Sequence, residues 1–189
     1  MTQSKIGVKG QTMGLDLLIA MAIFLMVMAA ILSIWANSSE VSKKQVQEIR
    51  MTEMAENTLE SLVRDSGSPE DWEMSCALDF NSLGLARRSL VLDANKLEQL
   101  VWRVEGSTCD WNYTFVRESL FIADNNLFFR LLDPATGFSL KSRNGSDLNI
   151  GTDPEKTEEP ARLLQARATK IVSYEGGEAI AELTLYRKK

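Results

Sequence analysis

The residues that do chemistry in most enzymes are sparse in this chain of 189 residues. Histidine is absent, which removes the commonest general base, proton shuttle and metal ligand and excludes Ser-His-Asp and Cys-His catalysis. Carboxylates and lysines are plentiful, but no nucleophile motif frames them. Asp147, Asp153, Glu155, Glu158 and Glu159 form an acidic stretch without EF-hand spacing or a Gly-framed Asp repeat, so they read as a solvated loop and not as a Ca²⁺ site. Trp72, Trp102 and Trp111 could stack on sugars, but core or interface packing is the plainer use of indoles. No catalysis, cofactor or metal is expected.

The chemistry that the sequence does suggest is done to the chain. Lys9-Gly10-Gln11 follows a short leader carrying Lys5 and Lys9 and no acid. Asp16 comes next, and then Leu17 to Trp35 without a charge. About 20 apolar residues suffice to span a bilayer as one helix. A secretory signal has a shorter apolar core, typically about 7–15 residues, ending at small residues before its cut. The arrangement predicts a leader removed ahead of the apolar segment, which then stays as a membrane anchor. A fully removed signal peptide and a buried soluble helix are the alternatives.

Lys9-Gly10-Gln11 with Leu15-Asp16-Leu17-Leu18 resembles the class III signal peptide of archaeal type IV pilin-like proteins. In that family a prepilin peptidase cuts after the glycine. The resemblance implies cleavage between Gly10 and Gln11, and a carboxylate that pairs with the amino terminus of a neighbouring subunit during assembly. Family members carry that acid at the fifth mature position. Here Leu15 holds the fifth place and Asp16 the sixth. Asp16 as a snorkelling interfacial acid is the other reading. Met21, Met26 and Met28 among Ala20, Ala22, Ala29 and Ala30 make an adaptable surface suited to helix packing or to lipid.

Beyond the anchor, residues 37–189 carry −6, because Lys5, Lys9 and Asp16 contribute +1 to the total of −5. An acidic domain argues against binding nucleic acid or anionic lipid. Cys76 and Cys109 are the only cysteines. An even pair in an exported domain reads as a disulfide, with two separate buried thiols as the alternative. Closing that loop would stabilise by roughly 3–4 kcal/mol in the chain-entropy model. Asn37, Asn112 and Asn144 each head an Asn-x-Ser/Thr sequon, and all lie after the anchor.

Four segments must position these residues: a leader over 1–10, a transmembrane helix over 11–36, an amphipathic helix over 37–65, and an extracytoplasmic domain over 66–189. No Pro or Gly interrupts Asn37 to Arg64. Its composition favours helix, with Val46, Ile49, Ala55, Leu59, Leu62 and Val63 as a one-sided stripe. Met13 to Asp65 therefore reads as one helix, ended by Gly67 and Pro69. The order Gly67-Ser68-Pro69-Glu70-Asp71-Trp72, Gly84-Leu85-Ala86, and a Lys-containing helix around Leu92–Leu100 extends the resemblance to pilin-like proteins of methanogen-type archaea.

Asp93 is placed to cap a helix at 94–104, and Thr114 to cap one at Phe115–Phe121. Leu127–Leu132 reads as a strand, followed by a turn at Asp133–Gly137 and a strand at Phe138–Ser142. Residues 143–160 read as an exposed loop. Glu175-Gly176-Gly177-Glu178 signals a hairpin joining Thr169–Tyr174 to Ala179–Arg187. Within that hairpin Ala179, Ala181, Leu183 and Leu185 would form the buried face, against the long helix.

The expected fold class is α+β: a long N-terminal helix, half in membrane, packed on a small antiparallel sheet with two short helices. The expected function is a pilin-like membrane-anchored surface subunit, assembled into a filament after leader removal. Its partners would be the membrane, the prepilin peptidase and other pilin-like subunits. The alternative is a monomeric anchored domain that binds an extracytoplasmic ligand.

Overall fold

A computed structural model describes residues 9–74, 81–104, 113–122, 124–157, 160 and 163–188. The chain divides into two compact units, Met1–Gln47 and Glu48–Lys189. Helix α1, Lys9–Arg64, is the first element and supplies residues to both. In the first unit every described residue from Leu15 to Ser38 is exposed. One helix of the described chain is long and apolar enough to cross a membrane, and its apolar window lies in this unit.

The second unit is an α+β domain whose core begins on α1. Met51, Ala55, Leu59, Leu62 and Val63 are buried there at helical spacing. Val46 and Ile49, read as part of the stripe, are exposed. The helix stops where its last carbonyls are taken by other groups. Leu85 N donates to Leu62 O at 2.8 Å, Leu90 N to Val63 O at 2.9 Å and Ala86 N to Asp65 O at 3.0 Å. Gly67 follows at φ 87°, a left-handed conformation that glycine adopts without penalty.

Short strands β1 (Ala86–Arg88) and β2 (Val91–Leu92) lead into α2 (Ala94–Val104), and α3 (Tyr113–Ser119) follows. Asp93 caps α2 as expected, its Oδ1 accepting from Asn95 N at 2.9 Å. Leu97, Leu100 and Val101 form its buried face. Then come β3 (Asn126–Leu132), β4 (Asn149–Ile150), β5 (Leu163–Tyr174) and β6 (Gly177–Lys188). The six strands make one sheet in the order β1-β2-β5-β6-β3-β4. β5 and β6 pair along all twelve residues, from Leu163↔Lys188 to Tyr174↔Gly177. Their turn holds Glu175 at φ 48° and Gly176 at φ 84°, both positive, as tight hairpins require.

Several expectations need correction. The sheet is mixed and not purely antiparallel, because β2 runs parallel to β5 at Val91↔Ser173. Thr114 lies inside α3, which begins at Tyr113. Phe138–Ser142 forms only isolated bridges, Leu132↔Ser139 and Lys141↔Asp147. Residues 143–160 are not simply an exposed loop. Leu148 and Ile150 are buried in the core, and Pro154 is buried too.

That segment also covers part of the sheet face opposite the core. Tyr186 Oη donates to Thr152 O at 2.9 Å, and Glu155 pairs with Arg167 at 3.0 Å. Glu182, Thr184 and Tyr186 are therefore buried along with Ala181, Leu183 and Leu185. β6 is covered on both faces, whereas alternation had predicted one.

Candidate functional site

The site suggested by sequence lies at the start of α1. Lys9, Gly10 and Gln11 form its first turn, and their side chains lie outside the described residues. Asp16 is exposed, one position before the uncharged run. Within an α-helix each backbone N–H and C=O beyond the ends is satisfied internally, the condition for crossing hydrocarbon. Asp16 comes too early to sit at the centre of that run, so in a helix that crossed a bilayer its cost would fall below the roughly 2.5–3.5 kcal/mol of a central acid. Asn37 is exposed further along the same helix.

In the second unit the sites are scattered. Asn144 is exposed in a turn where Gly145 stands at φ 84° and donates its N–H to Ser142 O at 2.9 Å. Cys76, Cys109, Asn112, Trp111, Glu158 and Glu159 lie outside the described residues. Trp72 is a core residue whose Nε1 donates to Gly84 O at 2.9 Å, and Trp102 is half exposed. The remaining acidic residues of the 147–159 stretch have structural partners. Asp153 Oδ1 caps the short turn Pro154–Lys156 by accepting from Glu155 N at 2.9 Å. Lys141 forms a backbone bridge with Asp147.

Close packing of backbone explains the Gly84-Leu85-Ala86 element. A Cβ at Gly84 would run into Asp65 O, and would stand 2.5 Å from Gly67 N. Lys96 and Arg103 of α2, both buried, hold the segment after α1. Lys96 Nζ donates to Ser66 O at 2.6 Å and Arg103 donates to Glu73 O at 2.6 Å. These contacts account for the lysine in the short helix without assigning it chemistry.

Sequence reasoning did not find two clusters. On the sheet face under residues 152–156, buried Glu182 takes Arg130 at 2.7 Å and Arg167 at 3.7 Å, so two guanidinium groups neutralise one carboxylate. Beside α3, Phe121 is exposed at φ 57° and stands between two adjoining grooves of about 540 and 310 Å³ that share Met54. Neither carries a local motif, because each forms between residues distant in sequence.

Among the described residues several tyrosines and carboxylates have perturbed titration. Burial pushes the Tyr113 phenol up to about 12. Its Oη donates to Leu127 O at 2.8 Å and accepts from Leu127 N at 2.6 Å, so the side chain stands in for a strand neighbour. Burial raises Tyr174 to about 12 as well. The bond from Lys170 holds the Glu60 carboxyl below its ordinary value.

The chain matches no protein-family model, no curated protein and no solved structure.

Proposed function

We propose that the chain is a type IV pilin-like surface subunit, made with a leader that is removed, held in the membrane by the first part of α1, and assembled with other subunits through that helix. The observation that carries this reading is Lys9-Gly10-Gln11 standing directly before the uncharged run from Leu17 to Trp35. A peptidase that cuts after Gly10 would leave the anchor whole, which a secretory signal cut would not. An α+β domain whose core begins on the same helix at Met51 supports it further. The role is structural, without catalysis. Residues 66–189 would face away from the cytoplasm, where Cys76 and Cys109 could pair and the sequons at Asn37, Asn112 and Asn144 could be glycosylated.

Mass spectrometry of the mature amino terminus tests the proposal. Gln11 as the first residue is expected. An intact Met1, or a terminus beyond Ala30, would overturn it.

A further inference from the structure

Asn144 stands directly before Gly145, and no other asparagine of the chain precedes a glycine. Asparagine is a thermolabile residue. It reacts with its own backbone when the next peptide nitrogen can reach the side-chain carbonyl carbon, Cγ. In helices and strands that nitrogen is held on its ladder partner. Asn37 and Asn57 lie in α1, Asn95 in α2, Asn126 in β3 and Asn149 in β4. Asn125 is buried. Of the described asparagines, Asn81 and Asn144 are exposed outside helix and strand. Asn81 is followed by Ser82, whose side chain crowds its nitrogen.

The turn around Asn144 leaves the nucleophile uncrowded. Gly145 has no side chain, and a Cβ there would meet nothing within 4 Å. Two backbone bonds close the turn, Ser142 N to Ser146 O at 2.7 Å and Gly145 N to Ser142 O at 2.9 Å. The second holds the reacting nitrogen, so reaction waits on its opening. An exposed turn opens locally at little cost.

We propose that Asn144 is a site of spontaneous deamidation, a modification that the chain performs on itself with water. The Gly145 nitrogen gives its proton to solvent base and attacks Cγ of Asn144. The N–Cγ bond forms, the side-chain amide leaves as ammonia, and a cyclic imide results. Water then opens the imide. Breaking the new N–Cγ bond leaves an aspartate at position 144. Breaking the original peptide bond leaves an isoaspartate, in which the main chain runs through the side chain. Either product carries a carboxylate in place of a neutral amide, and nothing is oxidised or reduced.

The neighbours give the change a consequence. Arg143 N donates to Glu98 Oε1 at 3.0 Å and Arg143 Nε to Glu175 Oε1 at 3.2 Å, so this turn ties α2 to the β5–β6 hairpin. A new carboxylate beside Arg143 competes for its guanidinium. Isoaspartate also lengthens the backbone across the two closing bonds. The converted turn therefore holds α2 less firmly. The proposal does not rest on the filament reading, since its chemistry needs only water.

Peptide mapping of the full chain, incubated in detergent at mildly alkaline pH, tests it. The chain is made without glycosylation, because a glycan would occupy the same amide. The peptide containing Asn144 should exchange its amide for an acid and resolve into aspartate and isoaspartate forms, well ahead of Asn81 and faster as pH rises. Gly145→Asp keeps a residue that tolerates the left-handed backbone but crowds the nitrogen, and should slow conversion by about tenfold. Asn144 converting no faster than Asn81 overturns the proposal. So does equal conversion in Gly145→Asp, because the attack is then not by this nitrogen. Conversion confined to urea-unfolded chain overturns it as well, because the folded turn then protects the site. Hydrogen exchange at the Arg143 N–H should quicken in the converted form, and exchange as slow as in fresh protein overturns the loosening of the α2 tie.

Discussion

Leu59 tests whether α1 is part of the domain or only a stalk that leads to it. The residue is 1% exposed, within a core shared by Leu62, Leu85 and Leu183, whereas Ile49, ten residues earlier on the same helix, is 57% exposed. Leu59→Ala removes buried methyl groups and leaves a cavity that a close-packed core refills only in part, at a cost of about 3 kcal/mol. Ile49→Ala removes comparable atoms from an exposed position and should change stability by no more than about 0.5 kcal/mol. The assay is urea unfolding of the full chain in detergent, followed by the fluorescence of buried Trp72. With a slope near 2 kcal/mol per molar urea, Leu59→Ala should lower the midpoint by ~1.5 M. Ile49→Ala should leave it within about 0.3 M. Equal and small shifts for both would refute the assignment of residues 51–63 to the core.

Gly84→Ala forces a methyl group against Asp65 O and Gly67 N, backbone that cannot swing aside, and should cost about 1–3 kcal/mol or more in the same assay. If the chain is a pilin-like subunit as proposed, Asp16→Asn should insert, be processed and accumulate normally, yet fail to enter sheared filament fractions. Incorporation equal to wild type would leave Asp16 as a snorkelling acid. Thiol labelling of denatured, unreduced protein from the envelope should find Cys76 and Cys109 blocked, whereas full labelling of both would refute their disulfide. Tyr113 and Tyr174 are raised to about 12 by burial, so the folded chain holds phenol protons that the unfolded chain releases near pH 10. The stability linked to them is complete below about pH 10 and is lost as pH rises toward 12. Unfolding midpoints should fall across that window, and less steeply in Tyr113→Phe.

The parts of the fold legible in the sequence were those with a strong local signal. Asp93 before an amphipathic stretch fixed the start of α2, because a carboxylate there satisfies otherwise free N–H groups. Glu175-Gly176 marked the hairpin, because few residues tolerate two successive positive φ values. What escaped was set by contacts between distant segments. Strands β1, β2 and β4 have two or three residues each, too few to show an alternation. The polar composition of 143–160 hid Leu148, Ile150 and Pro154, which are buried by what they lie against. Alternation in β6 could not reveal that Thr152–Lys156 folds over its second face. Lys9-Gly10-Gln11 and Asp16 stand out as residue types at a spacing, and the chemistry proposed for them involves other molecules.

The order of the strands has a consequence for how the chain comes into being. The central pair of the sheet, β5 and β6, is made long after the helix that shares their core. More than a hundred residues separate Leu59 from Leu183. During synthesis the apolar face of α1 from Met51 to Val63 must wait, without its final cover, until the C-terminal hairpin arrives. Contacts so distant in sequence close slowly, and a waiting apolar face is open to wrong partners. A chain that stopped at Pro160 would keep the apolar run of α1, both cysteines and all three sequons, and lose the two strands that hold the sheet together. Such a fragment would have no closed core, so a ribosome stall or a cut before Leu163 would be as damaging as a mutation in the core.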